Sequence, residues 1–512
     1  MSAIAAPVPA VRGRVAGWPM VVGLLVLTAV AAAIRLRALG APLWLDEVQA
    51  VDIARHPLGD IPHLLRRDGS PPLYYVLLHL WGSAAGFKEA KVHLFSVAFA
   101  VACVPAGWLA GLLVGGRRAA WIAAALLAVD PFLTEYADQA RMYTMLALLS
   151  LLVFAAFIAV FAERRRRWSP GLGVAMGLTL LTHNWAFFLV AGCAAGALLC
   201  LRRAEDRRPV AIDAAVAFGI AGLLYLPWAP SLLDQLRHTG APWSVHPTVH
   251  SMLTSTSASV GGAAQGALLL VVGGAGLWAA RSPRLAGARS MGLIVTLVGL
   301  AVAIVYCRIG LAWAPRYLAT FAGPLIALAS AGLAAVGPAG IAAAVVAILM
   351  GIGQPHSKVL DNKTNVVKMA QVVNPVLRRG DLVISTQPEQ TPALVRYLRH
   401  GLRYAVPWGT VSDPGIMDWR NAQSRLRHAG VRRDLRPLLA RVPVGGRVML
   451  VNATTTPQGL GSEWARLVRL RKKQWSRALR KDHRFHRVKR FVRDPHAAFS
   501  GASATVYVKR RP

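Results

Sequence analysis

The segment Leu43 to Ala54, LWLDEVQAVDIA, sets two adjacent carboxylates, Asp46 and Glu47, beside Trp44 and among apolar residues, just after a long apolar run. Ionisable groups in such surroundings are costly to keep and are therefore functional candidates. A carboxylate there could accept the proton of an attacking hydroxyl. The competing reading is a helix N-terminus, where the macrodipole favours acids. Four more polar islands follow: DGSPPLYYVLLHLWG (Asp68 to Gly82), YADQARMYTM (Tyr136 to Met145), THNW (Thr182 to Trp185) and WAPRYL (Trp313 to Leu318). They carry Tyr74, Tyr75 and His79, then Arg141 and Tyr143, then His183, then Arg316 and Tyr317. Arginine presents a planar fork of donors that matches phosphate oxygens. The aromatics, with Trp44 and Trp185, could stack on a sugar or line a lipid groove, or could instead be interfacial belt residues. A lone histidine beside apolar residues, as at positions 79 and 183, also has an ordinary structural reading. Arg308 reads either as a third phosphate ligand or as a positive flank.

These islands interrupt a series of apolar runs. Eleven are legible, at about 17–34, 92–114, 119–133, 142–162, 170–182, 184–201, 211–228, 263–280, 290–307, 317–336 and 338–353. A spanning helix needs about 20 apolar residues, so the series predicts a polytopic helical membrane domain. The first run holds Ala31-Ala32-Ala33, which resembles a cleavage site, but it is too long for a typical signal and reads as an uncleaved anchor. His183-Asn184 predicts a tight hairpin between two short runs. With a cytoplasmic N-terminus, Arg117-Arg118, Arg164 to Arg167, Arg202-Arg203, Arg207-Arg208, Arg281, Arg284 and Arg289 all fall in short inner loops, as the positive-inside bias requires. Every polar island then falls on the outer side or at the outer end of a span. The two longest inter-span segments, Arg35 to Lys91 and Ala229 to about Gly262, also lie outside. In the first, PPLYYVLLHLW predicts a helix lying at the membrane interface.

Of the 512 residues, 55% are hydrophobic and 16% charged, against about 25% charged in an average soluble domain. The apolar series stops near Gly353, which divides the chain into a membrane domain over 1–354 and a soluble domain over 355–512. The latter holds 32 Lys and Arg against 9 Asp and Glu, so 23 of the net +35 charges sit there. Such a surface favours lipid headgroups, a phosphorylated carrier or an acidic polymer. Nucleic acid is set aside because the domain is tethered to a membrane. DLVIS, TPALVRYLRH, GGRVMLVN, a basic helix near Ser462 to Lys481, and ATVYVKR alternate as an α/β domain with a small sheet. It contains no phosphate-loop or metal-ligand spacing and reads as an accessory domain. The four cysteines all lie in apolar runs, without a CxxC pair, and do not mark a redox compartment.

Taken in order and by side, the islands resemble the GT-C superfamily of membrane glycosyltransferases, in the branch around protein O-mannosyltransferases and the lipid A aminoarabinose transferase. The resemblance covers roughly residues 15–353. Its carriers are the Asp-Glu pair, Pro-Pro-Leu-Tyr-Tyr, the Gln-x-x-Arg-x-Tyr-like stretch and Pro-Arg-Tyr-Leu. Where relatives commonly have Ser-Gln-Glu-Ala-Arg, this chain has Asp138-Gln139-Ala140-Arg141, keeping the arginine but changing the local charge. The resemblance implies inverting transfer of a sugar, such as mannose or arabinose, from a polyprenyl-phosphate donor to a glycan, lipid or protein acceptor. It implies Asp46 as the base and a substrate shell drawn from Glu47, Tyr74, Tyr75, His79, Arg141, Tyr143, His183, Arg316 and Tyr317, with both arginines on phosphate. No cofactor is implied beyond the lipid-linked donor. A divalent metal stays open, because some distant relatives use one. The alternative is a transporter or flippase of lipid-linked sugars; no internal repeat supports it, and the islands lie at one surface rather than mid-span. Ala- and Arg-rich composition points to a GC-rich bacterial genome, hence to a bacterial plasma membrane with site and soluble domain extracytoplasmic.

Overall fold

The computed structural model describes residues 17–280, 282–310, 313–354, 363–454, 461–492 and 500–512. Each of the eleven apolar runs carries a helix. The first is Trp18–Arg35. The second and third form one continuous assignment, Glu89–Val129, but Gly116 at φ 78° breaks it. The chain reverses there: a Cβ on Gly111 would lie 2.7 Å from the carbonyl oxygen of Ala119, and one on Gly107 would meet Leu127. Helices 89–115 and 117–129 are therefore an antiparallel hairpin, with its turn at a residue that must take positive φ. The remaining helices are Tyr143–Ala162, Ala186–Arg203, Leu285–Ile309 within Pro283–Ile309, Ser169–Leu180, Arg207–Tyr225, Ala263–Ala279, Ala319–Ala335 and Pro338–Gly353.

Among the described residues, seven helices are long and apolar enough to cross a membrane, or eight if the bent pair Val249–Ala258 and Ala263–Ala279 is one span. The chain is a multi-pass integral membrane protein. Ala319–Ala335 is the buried centre of the bundle. It crosses Ala263–Ala279 without side chains between the backbones: a Cβ on Gly332 would fall 1.7 Å from the carbonyl oxygen of Gly273. Small residues at such crossings are the usual means of helix association in lipid.

Two sequence expectations are modified. Ser169–Leu180 and Ala186–Arg203 are joined by a short turn, but they do not pair closely. The first lays Gly173 and Gly177 on Ala217, Ile220 and Leu224, while the second lays Gly192 on Val295. The PPLYY segment forms helix Leu73–Ala85, whose Tyr74, Tyr75 and Leu78 are buried in the main core rather than spread at an interface. Burial is tolerable because each phenol has a partner: Tyr74 Oη lies 3.3 Å from Ser96 Oγ, and Tyr75 Oη donates to Asp68 Oδ2 at 3.2 Å.

The C-terminal region folds as a sheet of six strands, β1 (Leu382–Ser385), β2 (Arg403–Val406), β3 (Gly409–Thr410), β4 (Arg447–Thr454), β5 (Phe485–Phe491) and β6 (Gly501–Lys509). Their order is β3-β2-β1-β4-β6-β5. Strands β1–β2 and β1–β4 are parallel, and the other pairs are antiparallel. Helices Val366–Val373 and Thr391–Tyr397 cover one face through Val383, Met449 and Val506, and Arg436–Ala440 and Glu463–Lys481 cover the other through Ile384, Leu450 and Trp475. Coverage on both faces explains why β1 and β4 carry continuous apolar runs, Leu382–Ile384 and Val448–Val451, rather than alternating.

This domain is docked on the loops that carry the polar islands. Tyr397 Oη accepts from the Leu43 N–H at 2.8 Å, Arg396 pairs with Glu89 at 2.8 Å, and the Trp419 N–H donates to the carbonyl of Arg67 at 2.9 Å.

Candidate active site

Helix Leu45–Arg55 begins with the Asp-Glu pair, and adjacent helical residues diverge by about 100°. The two carboxylates consequently have different surroundings. Glu47 turns inward and is fully buried. Its Oε2 accepts from the Trp44 N–H at 3.1 Å, closing the first turn of the helix. Its Oε1 accepts from the Ala140 N–H at 2.8 Å and lies 2.8 Å from His93 Nε2. Lys363 Nζ, from the C-terminal domain, reaches Oε2 at 2.8 Å and the carbonyl of Asp138 at 2.7 Å. Burial alone would raise the Glu47 carboxyl, but Lys363 and His93 hold it down at about 2. This carboxylate is a fastener between the first loop, the 138–141 turn and the C-terminal domain.

Asp46 turns the other way and lines a cavity of about 510 Å³, with Gln49, Asp68, Arg141, Tyr143, His183, Trp185, Trp243, Arg316, Tyr317, Glu389 and Trp419 among its walls. Arg316 Nη2 lies 3.8 Å from Asp46 Oδ2. Its guanidinium sits 4.8 Å from the centroid of the Trp243 ring and 5.6 Å from that of Tyr317. Pro315–Leu318 is a single 3-10 turn at the mouth of Ala319–Ala335, with Pro315 at its first position, so the arginine is displayed from the end of the most buried helix. Arg141 is held in the turn before Tyr143 by donating from Nη1 to the Asp46 carbonyl at 3.3 Å and to Tyr75 Oη at 3.4 Å. The Nε of Arg141 and of Arg316, and Asn184 Oδ1, are buried without a hydrogen-bond partner among the described residues. His183, on the turn between two helices, is pushed down to about 3 by burial and by Arg141 and Arg316, so its imidazole is neutral. It packs on Tyr317 with centroids 4.7 Å apart, and Trp185 packs on Tyr317 at 5.3 Å.

Of the ten residues singled out from sequence, the structure places Asp46, Arg141, Tyr143, His183, Arg316 and Tyr317 around this cavity. Tyr74 and Tyr75 lie in the core behind it. His79 bonds through Nδ1 to the carbonyl of Ala54 at 2.9 Å, and Glu47 is enclosed as described. Arg308, the sequence's third arginine candidate, donates to the carbonyl of Pro247 at 3.0 Å. Sequence reading missed Gln49, Asp68, Trp243, Glu389 and Trp419 as cavity walls. Gln49 and Asp68 lay in quoted segments; Trp243, Glu389 and Trp419 belong to segments whose neighbours are distant in sequence. Among the described residues, no group of three or more His, Cys, Asp or Glu side chains is gathered as a metal site.

The arrangement offers two guanidiniums and a carboxylate at one aromatic-walled cavity: an anion held beside a proton acceptor. No protein-family model and no curated protein sequence matches the chain. Solved structures do. ArnT from Cupriavidus metallidurans in the apo state superposes with a TM-score of 0.59 at 15% identity, over 95% of this chain and 97% of that one. The same protein bound to undecaprenyl phosphate gives 0.58 at 15% identity, over 96% and 98%. The arabinofuranosyltransferase AftD from Mycobacteria gives 0.55 at 15% identity, over 96% of this chain and 40% of that one. The chain has the GT-C fold, a polytopic helical domain with a C-terminal domain that carries a small sheet.

Proposed function

We propose that this protein is an inverting glycosyltransferase that moves a sugar from a polyprenyl-phosphate carrier to a glycan, lipid or protein acceptor of the cell envelope. The observation that carries the reading is the single cavity in which Asp46 faces Arg316 at 3.8 Å with Arg141 beside them. The GT-C fold, and a structure of similar fold that holds undecaprenyl phosphate, support it.

In this reading the acceptor hydroxyl oxygen attacks the anomeric carbon as the bond from that carbon to the phosphate oxygen breaks. The hydroxyl proton passes to Asp46. The phosphate leaves as an anion, so no general acid is needed, and no cofactor is assigned. Arg141 and Arg316 bind the negative charge that grows on the phosphate, with Nε donors already desolvated and open. Tyr143, Tyr317, Trp185 and Trp243 supply apolar walls. The short-loop arginines orient the cavity and the C-terminal domain to the extracytoplasmic side of a bacterial plasma membrane.

Membranes carrying the protein are assayed against a panel of radiolabelled polyprenyl-phosphate sugars. One donor is expected to give up its sugar, and Arg141→Ala and Arg316→Ala are each expected to weaken its use while the protein stays folded. Normal donor binding and turnover in both variants would remove the phosphate assignment. Movement of labelled lipid across the bilayer without transfer would favour a flippase.

A further inference from the structure

The C-terminal domain does more than cover the cavity, because it sends two side chains into it. Glu389 stands on the turn Pro388–Gln390 that follows β1, and Trp419 lies in the segment before helix Ala422–His428. Glu389 is 7% exposed. Its Oε1 accepts from Trp464 Nε1 and from Gln387 Nε2, both at 2.9 Å. Among the described residues its Oε2 has no hydrogen-bond partner, and neither have the side-chain polar atoms of Gln390 and Thr391 beside it. A buried carboxyl oxygen left open is expensive, and this one belongs to the wall of a cavity that also holds Asp46.

Trp464 holds the arrangement rigid. It is 2% exposed, bonds Glu389 through its indole N–H, and packs against Trp419 with ring centroids 5.3 Å apart. One buried residue thus fixes both a carboxyl acceptor and an indole that line the same space. An open acceptor beside an aromatic face matches a sugar ring, which offers hydroxyl donors at its edge and C–H groups on its face. Phosphate is a poor match, since a carboxylate repels it.

We infer that Glu389 and Trp419 form a glycosyl subsite, in which Glu389 Oε2 accepts a sugar hydroxyl and Trp419 lies along the ring. Burial raises the pKa of the Glu389 carboxyl above the ordinary carboxylate range; the Trp464 and Gln387 bonds lower it and Asp46 raises it further. A hydroxyl, unlike a second anion, suits the group in either protonation state. The subsite rests on the proposed transfer reaction, and its sugar could belong to the donor or to the acceptor.

The test uses the full chain in nanodiscs, with undecaprenyl phosphate, a panel of glycosylated undecaprenyl phosphates, and the matching methyl glycosides as free acceptors. The variant is Glu389→Gln, which can keep the Trp464 bond through its amide oxygen, with Trp419→Ala beside it. If the donor sugar occupies the subsite, affinity for the preferred glycosylated lipid falls about tenfold or more while affinity for bare undecaprenyl phosphate is unchanged. If the acceptor occupies it, both lipid affinities hold and the acceptor KM rises by a similar factor. Unchanged affinities and KM in both variants overturn the subsite. So does an equal loss for every probe together with a lower melting temperature, which marks a structural role. Should the wild type fail to bind undecaprenyl phosphate, the transfer reading falls; methyl glycoside binding, with and without Glu389→Gln, still decides the subsite.

Discussion

At the scale of single residues, the informative contrast is between Asp46 and Glu47. The structure gives the two carboxylates different surroundings. Glu47 is the helix-terminal acid, recruited into a buried ionic fastener, and Asp46 is the carboxylate open to the cavity. Asp46→Asn keeps shape and hydrogen bonding but removes the proton acceptor. Transfer is expected to fall by roughly 10²–10⁴-fold, with donor affinity little changed, when both are measured on an identified donor. The fastener predicts something different. Lys363→Met takes the ammonium away from the buried Glu47, leaving it His93 and the Trp44 and Ala140 N–H donors, and should cost about 3–5 kcal/mol of stability. Adding Glu47→Gln should restore much of the loss, because the stranded charge is gone. Melting temperatures of the two single variants and the double variant check this; additive losses would mean that the two groups are not coupled. Because the Glu47 pKa is held below its ordinary value, its contribution is present above about pH 4.5 and is lost as pH falls toward about 2. The pair was legible as a candidate because it stands beside Trp44 after an apolar run. Which carboxylate faces inward was not legible, since that depends on Lys363 and His93, 316 and 46 residues away.

At the scale of elements, the helices were the most legible feature, because twenty-residue apolar runs have few other uses. The reversal at Gly116 could be read from the GGRR break. In the C-terminal domain, β1, β4 and β6 were readable, since each holds a short apolar run, LVI, VMLV and VYV. Strands β2, β3 and β5 were not. β3 is two residues long, and β5, FHRVKRF, is an exposed edge whose charges hide its strand character while guarding it against further pairing. Helix partners were not legible either, because glycine positions show that a helix has a thin face without showing which neighbour meets it. The Gly273–Gly332 crossing makes this testable. Gly332→Ala forces a methyl group into the facing carbonyl, so the helices must separate, at the 1–3 kcal/mol typical of overpacking or more. Gly222→Ala is the control, because nothing lies within 4 Å of its Cβ position. Melting temperature and monodisperse yield in detergent should fall for the first and hold for the second. Equal behaviour would show that the crossing is looser than the backbone distance requires.

At the scale of the whole molecule, the question is what sets the C-terminal domain on the membrane domain, given that it carries 23 surplus positive charges. Long-range attraction to anionic headgroups orients it only loosely, so local contacts must set its seat. The basic composition was visible from sequence; the seat was not. One contact makes the seat pH-dependent. Asp52, on the helix that begins with Asp46, faces the C-terminal domain so closely that a Cβ on Gly415 would come within 3.3 Å of its Oδ2. Burial raises its carboxyl to about 6; Arg396, Arg55 and His56 pull it down, and Asp413 pushes it up. An acid whose folded value is raised binds its proton more tightly when folded, so stability is greatest at low pH and falls as pH rises from about 4 through about 6. The sign is opposite to that of Glu47. A shift of this size corresponds to about 1–3 kcal/mol in total. Melting temperatures of the wild type and Asp52→Asn, taken between pH 5 and 7.5 in the same detergent, give the contribution as a difference and remove every other titrating group. The variant should gain on the wild type as pH rises from 5, most steeply at the low end of that range, with the gain levelling off above about pH 6. A difference that stays flat across the range would mean that Asp52 is solvated in the docked state and does not govern the seat.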